Sequence, residues 1–287
     1  MPPIFRFTRV LLVALSLLFS GSALSQEAPA PLSIGITPVF LDDQLSLLRD
    51  WARYLTPRLG RPVEFVQRGS YREIVDLTVS GKLDFAWICG FPYVTAGERL
   101  RLLTVPVYQG RPEYRAYLIV PSDDHTTAGL SDLYDKVFAF SDPDSNSGAL
   151  VIRYQLLQMK KRPEEHFRKT FYTGAHRKVV EAVAAGLADG GAVDGYVWDT
   201  LARIEPDLTV RTRVVQASSP YGFPPFVAGP SVEQSDLQRL QTVLIAMGED
   251  EEGRRLLTRM NLDGFTRGER ALYDDIERMG RAVAAGH

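Results

Sequence analysis

The 287-residue sequence predicts an α/β protein: two α/β lobes joined by two crossing strands. Three observations lead there. From residue 33 onward, short apolar runs alternate with segments of helical period, the pattern of strands layered with helices. Beyond Pro121 the same alternation starts afresh, so one unit follows another. A rigid polar and aromatic link, residues 218–225 (SSPYGFPP), then leads into an apolar stretch at 226–228 that can run back to the first unit. A chain that leaves one sheet, builds a second and returns crosses twice, and the crossings form a hinge beside a cleft.

The elements follow in order. Residues 33–38 (SIGITP) read as a strand, and 42–59 as an amphipathic helix with Leu45, Leu47, Leu48, Trp51, Tyr54 and Leu55 at helical spacing and Gly60 as its stop. Residues 63–66 are a strand, 70–80 a helix opened by a Ser cap and closed by Gly81, and 83–89 (LDFAWIC) a strand apolar enough to be buried on both faces. Residues 102–108, a turn at Gln109-Gly110-Arg111-Pro112 and a strand over 114–120 carry the chain out of the first unit. The second unit comprises strand 137–140, a helix after it, strand 170–172, helix 176–185, a strand around Ala192 and a continuation over 208–215. Helices from Ser231, Asp250 and Thr266 should pack back on the first unit. The lobes are accordingly expected over 32–117 with 225–287, and over 118–224, with largely parallel strands in each.

Residues 1–25 read as an export signal. Arg6 and Arg9 supply the positive start, 10–19 is an apolar run too short to span a bilayer comfortably, and Ala23-Leu24-Ser25 precedes Gln26 as a cleavage site. The alternative is an uncleaved membrane anchor. No Cys follows the apolar run, so lipid attachment is not expected. The mature chain is expected in the periplasm, as a monomer not inserted in the membrane.

Net charge is −2, and more negative once the two leading arginines are removed. That balance offers no basic face to follow a phosphate backbone, which excludes a nucleic-acid partner; a bound anion must be held by local dipoles and hydrogen bonds. The single Cys89 cannot make an internal disulfide and reads as a small buried hydrophobe. His125, His166, His176 and His287 have no ligand spacing among them, so neither a metal nor another cofactor is expected. The stretch RRLLTRMNLDGFTRGER reads as the solvated face of the C-terminal helices.

The stretch FSDPDSNSGALVIRYQLLQM, residues 140–159, places Ser145, Asn146 and Ser147 on the first turn of a helix, directly after a strand. Backbone N–H groups are unpaired there and the helix dipole is positive, so hydroxyl and amide donors at that place suit an anion, and Gly148 lets a bulky group approach the backbone. The same residues serve equally as a plain N-cap. A second stretch repeats the geometry. In FYTGAHRKVVEAVAAGLADGGAV, residues 171–193, a strand and Gly174 lead to His176 at another helix start, where a His is also common simply as a capping or surface residue.

These stretches carry a resemblance. DPDSNSG followed by GAHRKVVEAVAAGLADGGAV resembles the PhnD-like phosphate, phosphite and phosphonate periplasmic binding proteins, as do SYREIVDLTVSGKLDFAWICGFPYV at 70–94 and YRAYLIVPSDD at 114–124. The likeness covers nearly all of the mature chain. It implies a type II periplasmic binding protein fold that closes around an oxyanion and delivers it to the permease of an ABC importer. It also implies that Ser145, Asn146 and Ser147 form the oxyanion loop, with Asn146 in place of the usual Thr, that His176 is a further donor, and that Tyr71 and Tyr114 are phenols from the first lobe. Family members that take aminophosphonates hold the ammonium with carboxylates where this chain has Tyr196 and Pro224. Asp194 stands two positions from Tyr196 and is the remaining candidate. Tyr93, Tyr221 and Trp198 are candidate aromatic walls, and Trp87 and Phe91 read as core.

Capture of a small phosphate-like or phosphonate-like oxyanion without chemistry is therefore the expected function. Two other classes stay open on the residues alone. The same cleft could feed an extracytoplasmic sensor kinase, or Ser145 or Ser147 could act as a nucleophile with His176 as base, although no G-x-S-x-G elbow is present. Within binding proteins, a bulkier aromatic or organic anion also fits.

Overall fold

The computed structural model describes residues 30–37 and 45–286. The export segment and the first residues of the 42–59 helix lie outside them. Thirteen strands are present among the described residues: β1 (Leu32–Ile36), β2 (Val63–Gln67), β3 (Phe85–Trp87), β4 (Arg101–Val107), β5 (Glu113–Tyr114), β6 (Ala116–Pro121), β7 (Val137–Phe140), β8 (Lys169–Tyr172), β9 (Gly190–Asp194), β10 (Thr212–Ala217), β11 (Tyr221–Gly222), β12 (Phe226–Ala228) and β13 (Gly264–Thr266). One sheet runs β13-β4-β12-β3-β1-β2 and the other β10-β6-β9-β7-β8. Each sheet with its helices forms a lobe.

Between the lobes lies a two-stranded ribbon, β5 with β11, in which Tyr114 pairs with Tyr221 and Glu113 with Gly222. This ribbon is where both crossings run side by side. The turn before it is made by Gln109 (φ 51°) and Gly110 (φ 75°), both in the left-handed region, with Tyr108 and Arg111 bonded across it. Phe226–Ala228 returns to the first sheet and inserts as β12, between β3 and β4.

The strands are less uniformly parallel than the alternation of elements suggests. β1 runs parallel to β2 and β3, and β7 to β8 and β9, but β12 is antiparallel to both neighbours, as are β6 to β9 and to β10. The reason is connectivity. Strands joined through a helix come back parallel, whereas those entering directly from a crossing arrive from the other end of the sheet.

Aromatic packing anchors the first lobe. Trp51, fully buried on the helix Leu45–Leu59, stacks on Phe65 (5.0 Å between centroids) and meets Trp87 and Phe226 edge-on. Trp87 in turn stacks on Phe226 at 5.0 Å and donates its indole N–H to the Pro224 carbonyl at 2.8 Å. Burying a side chain such as Phe226 contributes about 1.5–3 kcal/mol, and here it ties the return crossing to the core. Trp87 is thus core, as its strand position suggested.

Other elements depart from the expectation. The apolar stretch 208–215 is a short helix, Pro206–Thr209, followed by β10, because Pro206 starts a turn of helix that the apolar run disguises. Helices Gly90–Ala96 and Gly195–Ile204, not foreseen in the sequence, follow β3 and β9 directly. The last helix, Asp274–Ala285, begins later than Thr266 and lies against both Gly90–Ala96 and Val151–Gln158, so it touches elements of both lobes.

Candidate anion-binding site

Strands β2, β7, β8 and β9 each deliver the chain to a helix start at the inter-lobe face, as the carboxyl ends of strands in open α/β sheets do. After β7 the backbone makes a π-helical turn, Asn146–Leu150, before the α-helix Val151–Gln158. Ser145 caps it: its Oγ accepts the Gly148 N–H at 3.0 Å, and its carbonyl accepts the Leu150 N–H, five residues on, at 3.0 Å. The wide turn holds Ser145, Asn146 and Ser147 inside, each with no solvent exposure. Gly148 is required. A Cβ there would stand 1.8 Å from Ser141 Oγ and 2.9 Å from His176 Cε1.

His176 opens the helix His176–Ala184 and is buried. Its Nδ1 accepts the Asp194 backbone N–H at 3.1 Å, which places the ring proton on Nε2. Nε2 lies 3.4 Å from Ser145 Oγ. Burial pulls the imidazole pKa down to about 3, so His176 is a neutral donor. That orientation is the reverse of what a general base for Ser145 needs, and it removes the support for a Ser–His nucleophile.

Asp194 ends β9 and caps the helix Gly195–Ile204, accepting the Tyr196 N–H at 2.9 Å and the Val197 N–H at 3.4 Å. Burial pushes its carboxyl up to about 8, with Asp199 adding to the shift and the two amides opposing it. Both amides bond Oδ1, one of the two carboxyl oxygens.

From the other lobe, Tyr114 on the hinge ribbon accepts the Asn146 side-chain N–H at 3.0 Å, and the Ser147 hydroxyl lies beside the same phenol without reaching hydrogen-bonding geometry. Tyr71, fully buried at the start of helix Tyr71–Val79, donates its backbone N–H to Asp142 at 3.3 Å. Burial holds the Tyr71 phenol well above its ordinary pKa, with Cys89, Asp142 and Asp194 adding to the effect. Arg72 pairs with Asp144 at 2.9 Å. Loop 142–146 of the second lobe therefore touches the first at Tyr71, Arg72, Cys89 and Tyr114. Four buried polar atoms here, Tyr71 Oη, Ser141 Oγ, Ser147 Oγ and Asn146 Oδ1, have no hydrogen-bond partner among the described residues. Buried polar atoms are normally paired, so such a cluster has room to bond a guest or ordered water.

The structure thus brings together Ser145, Asn146, Ser147, His176, Tyr71, Tyr114 and Asp194. The other four residues considered, Tyr93, Tyr221, Tyr196 and Trp198, are placed differently. Tyr93 packs edge-on against Tyr273, at 4.9 Å, beneath Arg270. The Tyr221 hydroxyl reaches Met279 Sδ at 3.6 Å. Tyr196 gives its hydroxyl to the Met260 carbonyl while its ring meets Tyr108 and Phe223. Trp198 donates to Thr212 Oγ1 at 3.0 Å. Sequence reasoning passed over Cys89 and Asp142 as members of the cluster; the available signal was their position at the carboxyl ends of strands, Cys89 just before Gly90 and Asp142 just after β7. Tyr114 and Tyr196 also line a groove of about 340 Å³ beside the hinge, in which Asp199 accepts the Tyr108 and Tyr117 hydroxyls at 2.7 and 3.1 Å.

Comparison with known proteins agrees with this geometry. Residues 34–273 match the family described as ABC transporter, phosphonate, periplasmic substrate-binding protein. The phosphate-import protein PhnD of Mycolicibacterium smegmatis is 28% identical over 160 residues, 52% of this chain and 49% of that protein, so the alignment spans about half of that relative. The probable ABC transporter phosphite-binding protein PhnD1 of Prochlorococcus marinus is 25% identical over 95% of this chain and 96% of its own length. The solved structure of PhnD1 in complex with methylphosphonate superposes with a TM-score of 0.81, covering 88% of this chain and 98% of that one at 22% identity. With two lobes, a hinge ribbon and a match running from residue 34 to 273, this chain belongs to the periplasmic phosphonate substrate-binding proteins of ABC transporters.

Proposed function

We propose that the protein captures a small phosphorus oxyanion, of the phosphate, phosphite or phosphonate type, between its lobes and presents it to its permease. The observation that carries this reading is the pair of buried, unpartnered hydroxyls Tyr71 Oη and Ser147 Oγ beside the neutral donor His176, with Asn146 Oδ1 left as an acceptor for a P–OH proton. Tyr71 and Ser147 offer hydroxyl protons, His176 offers Nε2–H, and the π-helical loop brings the positive end of the helix that runs on to Gln158. None of these groups carries a net charge, so selectivity comes from hydrogen-bond count: a buried donor left unfilled costs about 1–3 kcal/mol.

Donors come from both lobes, so the anion favours closure, and the β5–β11 ribbon is the hinge about which residues 118–224 would rotate against 32–117 and 225–287. Methylphosphonate, phosphite and phosphate, named for the relatives, support the ligand class. Residues 1–25 act as the export signal in this reading. A thermal-shift screen of the purified protein against phosphate, phosphite, methylphosphonate and sulfate tests it, since a ligand of the native state raises the melting temperature by mass action. A rise with at least one phosphorus oxyanion is expected. No rise with any of them, together with a rise for a neutral aromatic solute, would overturn the reading.

A further inference from the structure

The helix Gly195–Ile204 starts beside the anion donors and leaves them along the first lobe. Asp194, whose backbone N–H holds His176, caps it. One stripe of this helix then bonds the opposite lobe repeatedly. Tyr196 gives its hydroxyl to the Met260 carbonyl, Asp199 accepts the Tyr108 hydroxyl at 2.7 Å, Thr200 Oγ1 accepts the Asn261 side-chain N–H at 2.8 Å, and Arg203 donates to Asn261 Oδ1. Residues 196, 199, 200 and 203 share a face at helical spacing. Their partners all belong to the first lobe: Tyr108 follows β4, and Met260 and Asn261 end the helix that precedes β13.

Asn261 is the joint of this seam, because both ends of its amide are used across the lobes. It closes its own helix in the left-handed conformation (φ 55°, ψ 40°). On either side of it the lobes leave furrows, one of about 280 Å³ toward Tyr108 and Asp263 and one of about 300 Å³ toward Ser46 and Arg259, so the half-buried amide spans a gap rather than filling a core. Thr200 stands roughly 9 Å along the helix from Asp194, which places the bond away from the anion donors.

We propose that Asn261 is a positioning residue for anion capture: it docks the helix Gly195–Ile204 on the first lobe when the lobes close, and so sets the closed fraction and the affinity for every anion the cleft takes. This rests on the anion-binding reading above. Opening about the β5–β11 ribbon parts Asn261 from Thr200 and Arg203, and water takes over both bonds. Since the measured affinity is the intrinsic one reduced by the closed fraction, loss of Asn261 weakens all guests by one factor. Loss of a group that touches the anion weakens different guests by different factors.

Titration calorimetry with phosphate, phosphite and methylphosphonate on the native protein, Asn261→Gly and the double variant Thr200→Val with Arg203→Ala tests the inference. Glycine keeps the left-handed backbone and deletes the amide. Every anion that the native protein binds should bind Asn261→Gly about fivefold more weakly, with factors agreeing within about twofold. The double variant removes the same bonds from the second lobe and should lose a similar factor, and all three substitutions together should add no more than about twofold to it. A purely structural role would lower the denaturation midpoint and leave the affinity of the folded protein unchanged; that result, or a loss confined to one anion, overturns the inference while leaving the anion site intact. If Asn261→Gly does not fold, the double variant decides by the same criteria. Absence of binding of all three anions to the native protein overturns the anion reading and this inference with it.

Discussion

Ser145 Oγ and His176 Nε2 face each other 3.4 Å apart, although 31 residues separate them in the chain. Two strand ends aim two helix starts at one point, and Asp194, through its backbone N–H to His176 Nδ1, fixes which ring nitrogen holds the proton. In this account His176 acts on the anion as an uncharged donor.

Removing that donor should therefore weaken binding without abolishing the fold. His176→Ala and Ser147→Ala are each expected to cost about 1–3 kcal/mol of anion affinity, measured by titration calorimetry, and His176→Gln, which keeps an N–H, should recover part of the loss. Unchanged affinity in both alanine variants would remove these residues from the site.

Two buried groups should shape stability against pH, in opposite senses. Asp194 binds its proton up to about 8 in the folded protein, against a reference value of 3.8. Its contribution is complete below the reference value and lost as pH rises toward and through 8. His176 refuses a proton down to about 3, against 6.5 when unfolded, so stability is lost as pH falls from 6.5 toward 3. Denaturant unfolding across pH should show both limbs. Asp194→Asn, which keeps an acceptor for the Tyr196 and Val197 amides, should flatten the alkaline limb and leave the acid one, and His176→Gln should do the reverse.

Gly148→Ala tests the packing of the loop. The new methyl group would meet Ser141 Oγ at 1.8 Å and His176 Cε1 at 2.9 Å, so a destabilisation of about 1–3 kcal/mol is expected from overpacking, visible as a lower denaturation midpoint, and anion affinity should fall as His176 is displaced.

The Arg72–Asp144 pair crosses between the lobes, yet the Arg72 side chain is 71% exposed. Arg72→Ala should change affinity by at most about 1 kcal/mol, less than loss of Ser147, in a calorimetric comparison at physiological salt. A larger effect would move the seat of closure from the buried loop to this surface pair.

Much of this was legible in the sequence. β7 was read at its observed bounds and helix 176–184 from its first residue, because Val179, Val180 and Val183 mark a buried face and Gly174 precedes the start. The return strand at Phe226 was legible from the aromatic and proline link before it. The antiparallel pairings were not, since an apolar run has no direction until its connection is known. The π-helical turn was hidden because it differs from an ordinary helix start only in which carbonyl accepts the Leu150 N–H. Among the candidate site residues, the hydroxyl partners of Tyr196 and Tyr221, Met260 and Met279, were not legible, because they lie 64 and 58 residues away in the chain. Cys89 was readable as buried but not as bonded, because its partner lies 57 residues away in the other lobe.

The central claim is that one anion bridges donors from both lobes, and a crystal structure of the protein grown with methylphosphonate tests it most directly. The account predicts phosphonate oxygens within hydrogen-bonding distance of Ser147 Oγ and His176 Nε2 on one side and Tyr71 Oη on the other. Density for the anion at any other place, with these three groups bonded only to protein or water, would contradict it.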